Sequence, residues 1–209
     1  MNLFEEAYDD NALHRASYNG HLEMVKYLIE KGANIHAEDD LALHWASRKG
    51  HLKIVQYLVE KGANIHANNE LAFRWASEKG HLEMVQYLIE KGANIHARDG
   101  YALVYASHNG HIDVVQYLVK KGVDIHTDNE YALQWASEKG HLEVVQFLVE
   151  KGADINKIEN QKMKEKVQTY IDVRNVFKEC LMRIKYHPGL ERTITENLEK
   201  WELNEKMFE

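Results

Sequence analysis

Glycine recurs at Gly20, Gly50, Gly80, Gly110 and Gly140, and again at Gly32, Gly62, Gly92, Gly122 and Gly152. Both series have a period of thirty, held through five copies between about Asp9 and Asn156. This regularity constrains the fold more than composition does. A unit of thirty residues cannot bury an apolar face alone, but stacked copies can bury each other's. A chain built this way lacks the asymmetry from which a unique catalytic pocket is usually made.

The copy beginning at Asp39 shows how one unit reads. Asp39 precedes a run of helix formers and is expected to cap them, as are Asp9, Asn69, Asp99 and Asn129 in the same column. The first helix then runs to about Lys49, with Leu43, Ala46 and Ser47 on one face. Alanine and serine there let a neighbouring helix come close. Gly50 breaks the helix, and a second follows from about Leu52 to Lys61. Its Ile54, Val55, Leu58 and Val59 form an apolar stripe, with Lys53, Gln56 and Glu60 on the wet face. Gly62 supplies the left-handed residue that ends it, and Ala63 to Ala67 reads as a short extended link. The expected fold is all-α: a solenoid of five 30-residue units across residues 1–156, followed by a helical segment over 157–209.

The stretch GHLKIVQYLVEKGANIH (Gly50–His66) resembles the second half of an ankyrin repeat, and LALHWAS (Leu41–Ser47) resembles a variant of that family's TPLHxAA helix opening. The likeness spans five units and about 70% of the chain. Departures are clear. Leu-Ala or Tyr-Ala replaces Thr-Pro in the four full copies, and the unit has thirty residues where the family usually has thirty-three. The deficit falls where ankyrins form a hairpin finger, so a tight loop is expected instead. Units this short, rich in histidine and poor in proline look most like ankyrin proteins of large DNA viruses. That likeness implies protein partners, and a host protein if the source is viral. It also implies that an Asn closing the link can be an oxygenase substrate. That slot holds His36, His66, His96, His126 and only once an asparagine, Asn156.

Beyond Asn156 the period breaks, with Tyr170-Ile171 where a sixth Gly-His pair would fall. The pattern Met163, Val167, Tyr170, Phe177, Leu181, Ile184 predicts one helix from about Gln161 to Lys185, roughly 37 Å long at ~1.5 Å per residue. A turn at His187-Pro188-Gly189 and a last helix carrying Leu190, Ile194, Leu198 and Trp201 are expected to follow. The tail either covers the open end of the array, or also docks a partner or dimerises, leaving monomer and tail-mediated homodimer open.

Several functions are disfavoured. The net charge of −7 opposes nucleic acid and anionic membranes. The segment Lys157–Lys185 holds eight basic and four acidic residues, a modest patch better read as a solvated face. The start, MNLFEEAYDD, lacks a secretory pattern, no run is apolar enough to span a membrane, and Cys180 is alone. The expected location is therefore the cytoplasm, the host's if the source is viral. No strand–turn nucleophile, phosphate-cradling glycine loop or HExxH motif occurs, so no enzyme and no cofactor are expected. Thirteen histidines invite a metal. Yet helices ~8–10 Å apart keep equivalent side chains too distant to share an ion at ~2.0–2.1 Å. His21, His51, His81, His111 and His141, and His36, His66, His96 and His126 in a second column, are instead expected to bond loops between copies, as the resemblance implies.

Function is sought where copies disagree. One column reads His14, His44, Arg74, Val104, Gln134; another reads Tyr18, Arg48, Glu78, His108, Glu138. Between them runs Arg15, Trp45, Trp75, Tyr105, Trp135. All lie on the first helix, which lines the concave groove of ankyrins. The candidate contact set is His44, Trp45, Arg48, Arg74, Trp75, Glu78, Val104, Tyr105, His108, Gln134, Trp135 and Glu138. The large rings either fill space beside small neighbours, anchor a partner, or do both.

Overall fold

The structure, a computed structural model, describes residues 3–186. The sequence-predicted turn at His187–Gly189 and the last helix lie outside them. Five helix pairs follow in order: α1 (Leu3–Asn19) and α2 (Leu22–Glu30), α3 (Ala37–Lys49) and α4 (Leu52–Glu60), α5 (Ala67–Glu78) and α6 (Leu82–Glu90), α7 (Ala97–His108) and α8 (Ile112–Lys120), α9 (Thr127–Lys139) and α10 (Leu142–Glu150). A short 3₁₀ turn (Ile155–Lys157) precedes α11 (Gln161–Tyr186). There is no strand among the described residues. The chain divides into two compact units, residues 1–163 and 164–209. The first takes in buried Ile158 and Met163 besides the five repeats.

Each first helix packs along the next, α1 on α3, α3 on α5, α5 on α7 and α7 on α9, while the second helices touch more sparingly. The small residues explain this. Ala46, Ala76, Ala106 and Ala136 and their serine neighbours are buried between first helices. The first-helix row is thus the tighter, inner side of the first unit. Beneath it lie the predicted stripes, including Ile54, Val55 and Leu58, each no more than 1% exposed. Each buried aliphatic side chain contributes about 1.5–3 kcal/mol.

The histidines after the first glycine tie neighbouring pairs together, as expected. The Nε2–H groups of His51, His81, His111 and His141 donate to the carbonyls of Tyr18, Arg48, Glu78 and His108 at 3.0–3.1 Å. A carbonyl acceptor requires the proton on Nε2, which sets the tautomer. The ring lies flat over the preceding repeat's glycine. A Cβ built on Gly80 would stand 2.5 Å from His111 Nδ1.

Two local expectations need correction. Asp39 and its column do not cap the first helix by side-chain hydrogen bonds. Glu38-Asp39-Asp40, Asn68-Asn69-Glu70, Arg98-Asp99-Gly100 and Asp128-Asn129-Glu130 instead form a single left-handed turn, with φ between 48° and 76°. Asp and Asn tolerate this region best among residues with a side chain, which is why they fill the middle position of all four turns. The turn replaces the hairpin finger. The link before it is also not extended: Ala37, Ala67 and Ala97 donate back to Asn34, Asn64 and Asn94 in tight turns.

The strained turn is held by its third residue. Asp40 accepts from the backbone N–H of Asn64, in the link that follows its own helix pair, at 2.8 Å and from His36 Nδ1 at 3.1 Å. Asp10 accepts from Asn34 N–H at 2.8 Å, and Glu130 from Asp154 N–H at 2.7 Å and His126 Nδ1 at 2.9 Å. At Gly100 there is no carboxylate. Val123 fills the space, its Cγ1 3.0 Å from where a Cβ would stand, where the other copies have Ala33, Ala63, Ala93 and Ala153.

Candidate partner-binding face

The three variable columns separate sharply. His44, Arg74 and Val104 are buried, at 0%, 6% and 5% exposure, which removes them from any contact face. They point between helices toward the left-handed turn. That turn leaves carbonyls outside the helical ladder, and a long polar side chain five residues on can reach back to them. Arg74 donates from Nε to Asn69 O at 2.9 Å and from Nη2 to Asn68 O at 3.0 Å. Half-buried Gln134 does the same to Asn129 O at 2.8 Å. His44 lacks the reach. Its ring nitrogens have no well-aligned partner, only a weak contact to the Ala67 backbone. Burial holds its pKa below the usual imidazole range, against the opposing pull of Asp40. Arg74 and Gln134 thus serve the turns of their own copies.

The other two columns reach the surface. Trp45, Trp75 and Tyr105 are half-buried, as are Arg48, Glu78 and His108, while Trp135 and Glu138 are exposed. The rings form a ladder along the first helices. Tyr18 meets Trp45 edge-on at 5.3 Å between centroids, and Trp45 meets Trp75 at 5.3 Å. Arg48 sits over both indoles, 5.4 Å from Trp45 and 5.0 Å from Trp75. Toward the other end His108 meets Trp135 at 5.2 Å and Tyr101 meets Tyr105 at 5.8 Å. Trp45, Trp75 and Trp135 therefore each pack on a neighbour and keep part of the ring in water, which joins the two readings of Trp45.

Sequence reasoning left out neighbours of this face. Tyr18 and Tyr131 are each 40% exposed, Lys49 lies 4.3 Å from the Tyr18 ring, and Arg15 is exposed. The signal was available for Arg15 and Tyr18, which occupy the same two columns in the first copy. A recess of about 420 Å³ opens here, lined by His14, Arg15, Tyr18, Glu38 and Trp45 among others.

Among the described residues no three His, Cys, Asp or Glu side chains converge as metal ligands, and no helix is long and apolar enough to cross a membrane. Stacked helix pairs with a continuous, chemically varied row of half-exposed side chains define a helical repeat scaffold. The chain belongs to the ankyrin repeat family: the family model described as Ankyrin repeats (3 copies) matches residues 2–69 and 73–159. Such repeats generally mediate protein–protein interaction and are typically not enzymes. A search of curated proteins finds no match.

Proposed function

We propose that the inner face of the first helices binds a protein through Trp45, Arg48, Trp75, Glu78, Tyr105, His108, Trp135 and Glu138. The aromatic ladder supports this reading most directly. Large rings kept partly in water along a row of otherwise small, buried neighbours are what interface anchors require, and folding alone would favour their burial. Shortened turns in place of fingers leave more of any contact to these side chains. The exchange of Arg, Glu, His and Glu along one column changes polarity from each copy to the next, a pattern with which to choose a partner. A viral source, suggested by the short units, makes that partner a host protein.

The test is capture of a partner on the immobilised chain. Trp75→Ala and Trp135→Ala should reduce capture while leaving the helical circular dichroism spectrum intact. Lys53→Ala, on the outer helices, should not. Retained capture by both tryptophan variants refutes the groove.

The tail supports a second reading. On α11, Val176, Phe177, Leu181 and Met182 are 61%, 37%, 44% and 58% exposed, more apolar surface than a cover alone needs. This helix would recruit further machinery or pair with a second copy. Light scattering of the full chain and of Phe177→Asp separates pairing from recruitment, since only pairing predicts a mass that falls on substitution.

A further inference from the structure

We infer that the first-repeat end of the aromatic ladder is a docking site for an acidic peptide segment, with a carboxylate side chain entering the recess beside Arg15. This inference rests on the groove reading above and names the chemistry of its partner.

Three observations carry it. The first is charge. The chain has a net charge of −7, yet Arg15 on α1 and Arg48 and Lys49 on α3 stand around the Tyr18 and Trp45 rings, with no ion pair among the described residues. Glu78, which follows Arg48 in the same column, is taken by its own Lys79 at 2.7 Å. Arg48 and Lys49 lie over the rings of Trp45, Trp75 and Tyr18. Cation–aromatic contacts orient a cation without neutralising it, so the charges stay available to an incoming anion.

The second is an orphaned ring nitrogen. His14 lines the recess, is 7% exposed, and its Nε2 has no hydrogen-bond partner. A buried polar group left unpaired is costly; Nε2 is closed to solvent in this structure, so a ligand oxygen in the recess satisfies it with a turn of the ring. The Asn19 amide, in contrast, is spent on the Arg15 carbonyl at 2.8 Å.

The third is shape. The recess holds about 420 Å³ and is walled by Tyr18 and Trp45, which offer apolar surface to the stem of an aspartate or glutamate and to a flanking apolar residue. An arginine fork and an imidazole N–H on one carboxylate make charge-assisted hydrogen bonds, stronger than neutral ones. Glu38, on the left-handed turn, also lines the recess. Its charge opposes an acidic ligand and so gives the site a polarity: the carboxylate sits toward Arg15, Arg48 beyond the Trp45 ring adds its field, and Glu38 faces the peptide's backbone N–H groups or a basic residue further along.

The experiment selects a phage-displayed library of random twelve-residue peptides on the immobilised full chain. The selected peptides, synthesised with fluorescein, are then titrated by fluorescence anisotropy. Enrichment of Asp or Glu next to apolar residues is expected. Arg15→Gln and Arg48→Gln should each weaken binding by ~10-fold or more, on the scale of a charge-assisted hydrogen bond. Arg15→Lys should recover part of the loss, and Glu38→Gln should tighten binding. Affinity should fall as salt rises. Arg15 is exposed, so its substitution leaves the core alone. A library that yields no binder, yields binders without carboxylates, or yields binders indifferent to Arg15→Gln and Arg48→Gln overturns the inference. If Trp75→Ala and Trp135→Ala still abolish partner capture in that case, the groove stands and only its acidic preference falls. If no substitution on this face matters, both fall.

Discussion

Gly80→Ala isolates what the repeated Gly-His pair contributes. Gly80 has φ +73°, and a methyl group added there would stand 2.5 Å from Nδ1, 2.7 Å from Cγ and 2.8 Å from Cε1 of His111. The substitution therefore has two costs. An L-residue in the left-handed region loses about 1–2 kcal/mol. Displacing the ring forfeits the His111 Nε2–Glu78 carbonyl hydrogen bond, 3.0 Å long, at about 1 kcal/mol, along with some packing. The expected total is about 2–4 kcal/mol by the same two terms. The chain contains its own control. Gly140 occupies the same column with φ +84°, but a Cβ there meets nothing within 4 Å among the described residues, because no sixth histidine follows it. Gly140→Ala should cost only the backbone strain. The assay is urea unfolding followed by circular dichroism, paired with amide hydrogen exchange because repeat arrays need not unfold in one step. His111→Ala closes the cycle: in its background, Gly80→Ala should shrink to the cost seen at Gly140, a coupling of about 1 kcal/mol or more. Equal costs at Gly80 and Gly140, or strict additivity with His111→Ala, would show that the histidine is not seated on the glycine and refute the reasoning.

Three further outcomes follow from other contacts. Gly100→Glu alone should destabilise by crowding Val123, whereas Gly100→Glu with Val123→Ala should recover the loss, since it restores the carboxylate and alanine of the other copies; thermal unfolding of both variants decides it. Ser47 is fully buried with no hydrogen-bond partner, while Ser77 donates to Phe73 O at 2.9 Å, so Ser47→Ala should leave the chain more stable than Ser77→Ala by about 1 kcal/mol, read from urea midpoints. Burial lowers the pKa of His44, so the unfolded chain takes up its proton first: this contribution is intact above the unfolded value of ~6.5 and is lost as pH falls below it. His44→Leu should flatten the fall in stability between pH 7 and 5, by at most about 1.4 kcal/mol per pH unit, and parallel pH profiles for the two proteins would rule this out.

The architecture could be read in the sequence because it is periodic. The glycine spacing, the stripe of Ile54, Val55 and Leu58, and the small Ala46 and Ser47 are each explained by one neighbour identical to the last, so local pattern and global packing say the same thing. The inter-repeat role of His51 and its equivalents was legible for that reason too, through the family resemblance. The misreadings fall where a residue's role depends on backbone conformation or on a partner thirty or so residues away. Asp39 and Asn69 look like helix caps because capping and the left-handed region favour the same residue types, and only φ distinguishes them. His44 and Arg74 vary like surface residues, yet they face the turn of their own copy, a direction set by how that turn folds back. Gly100 and Val123 replace a carboxylate and an alanine together, a compensation visible only once the two are known to touch. The sequence by itself determined that copies stack and that two columns of the first helix differ freely. Tertiary structure decided which of the differing side chains reach water, because exposure depends on the neighbouring repeat and on the sense of the turn, and neither is written in any single copy.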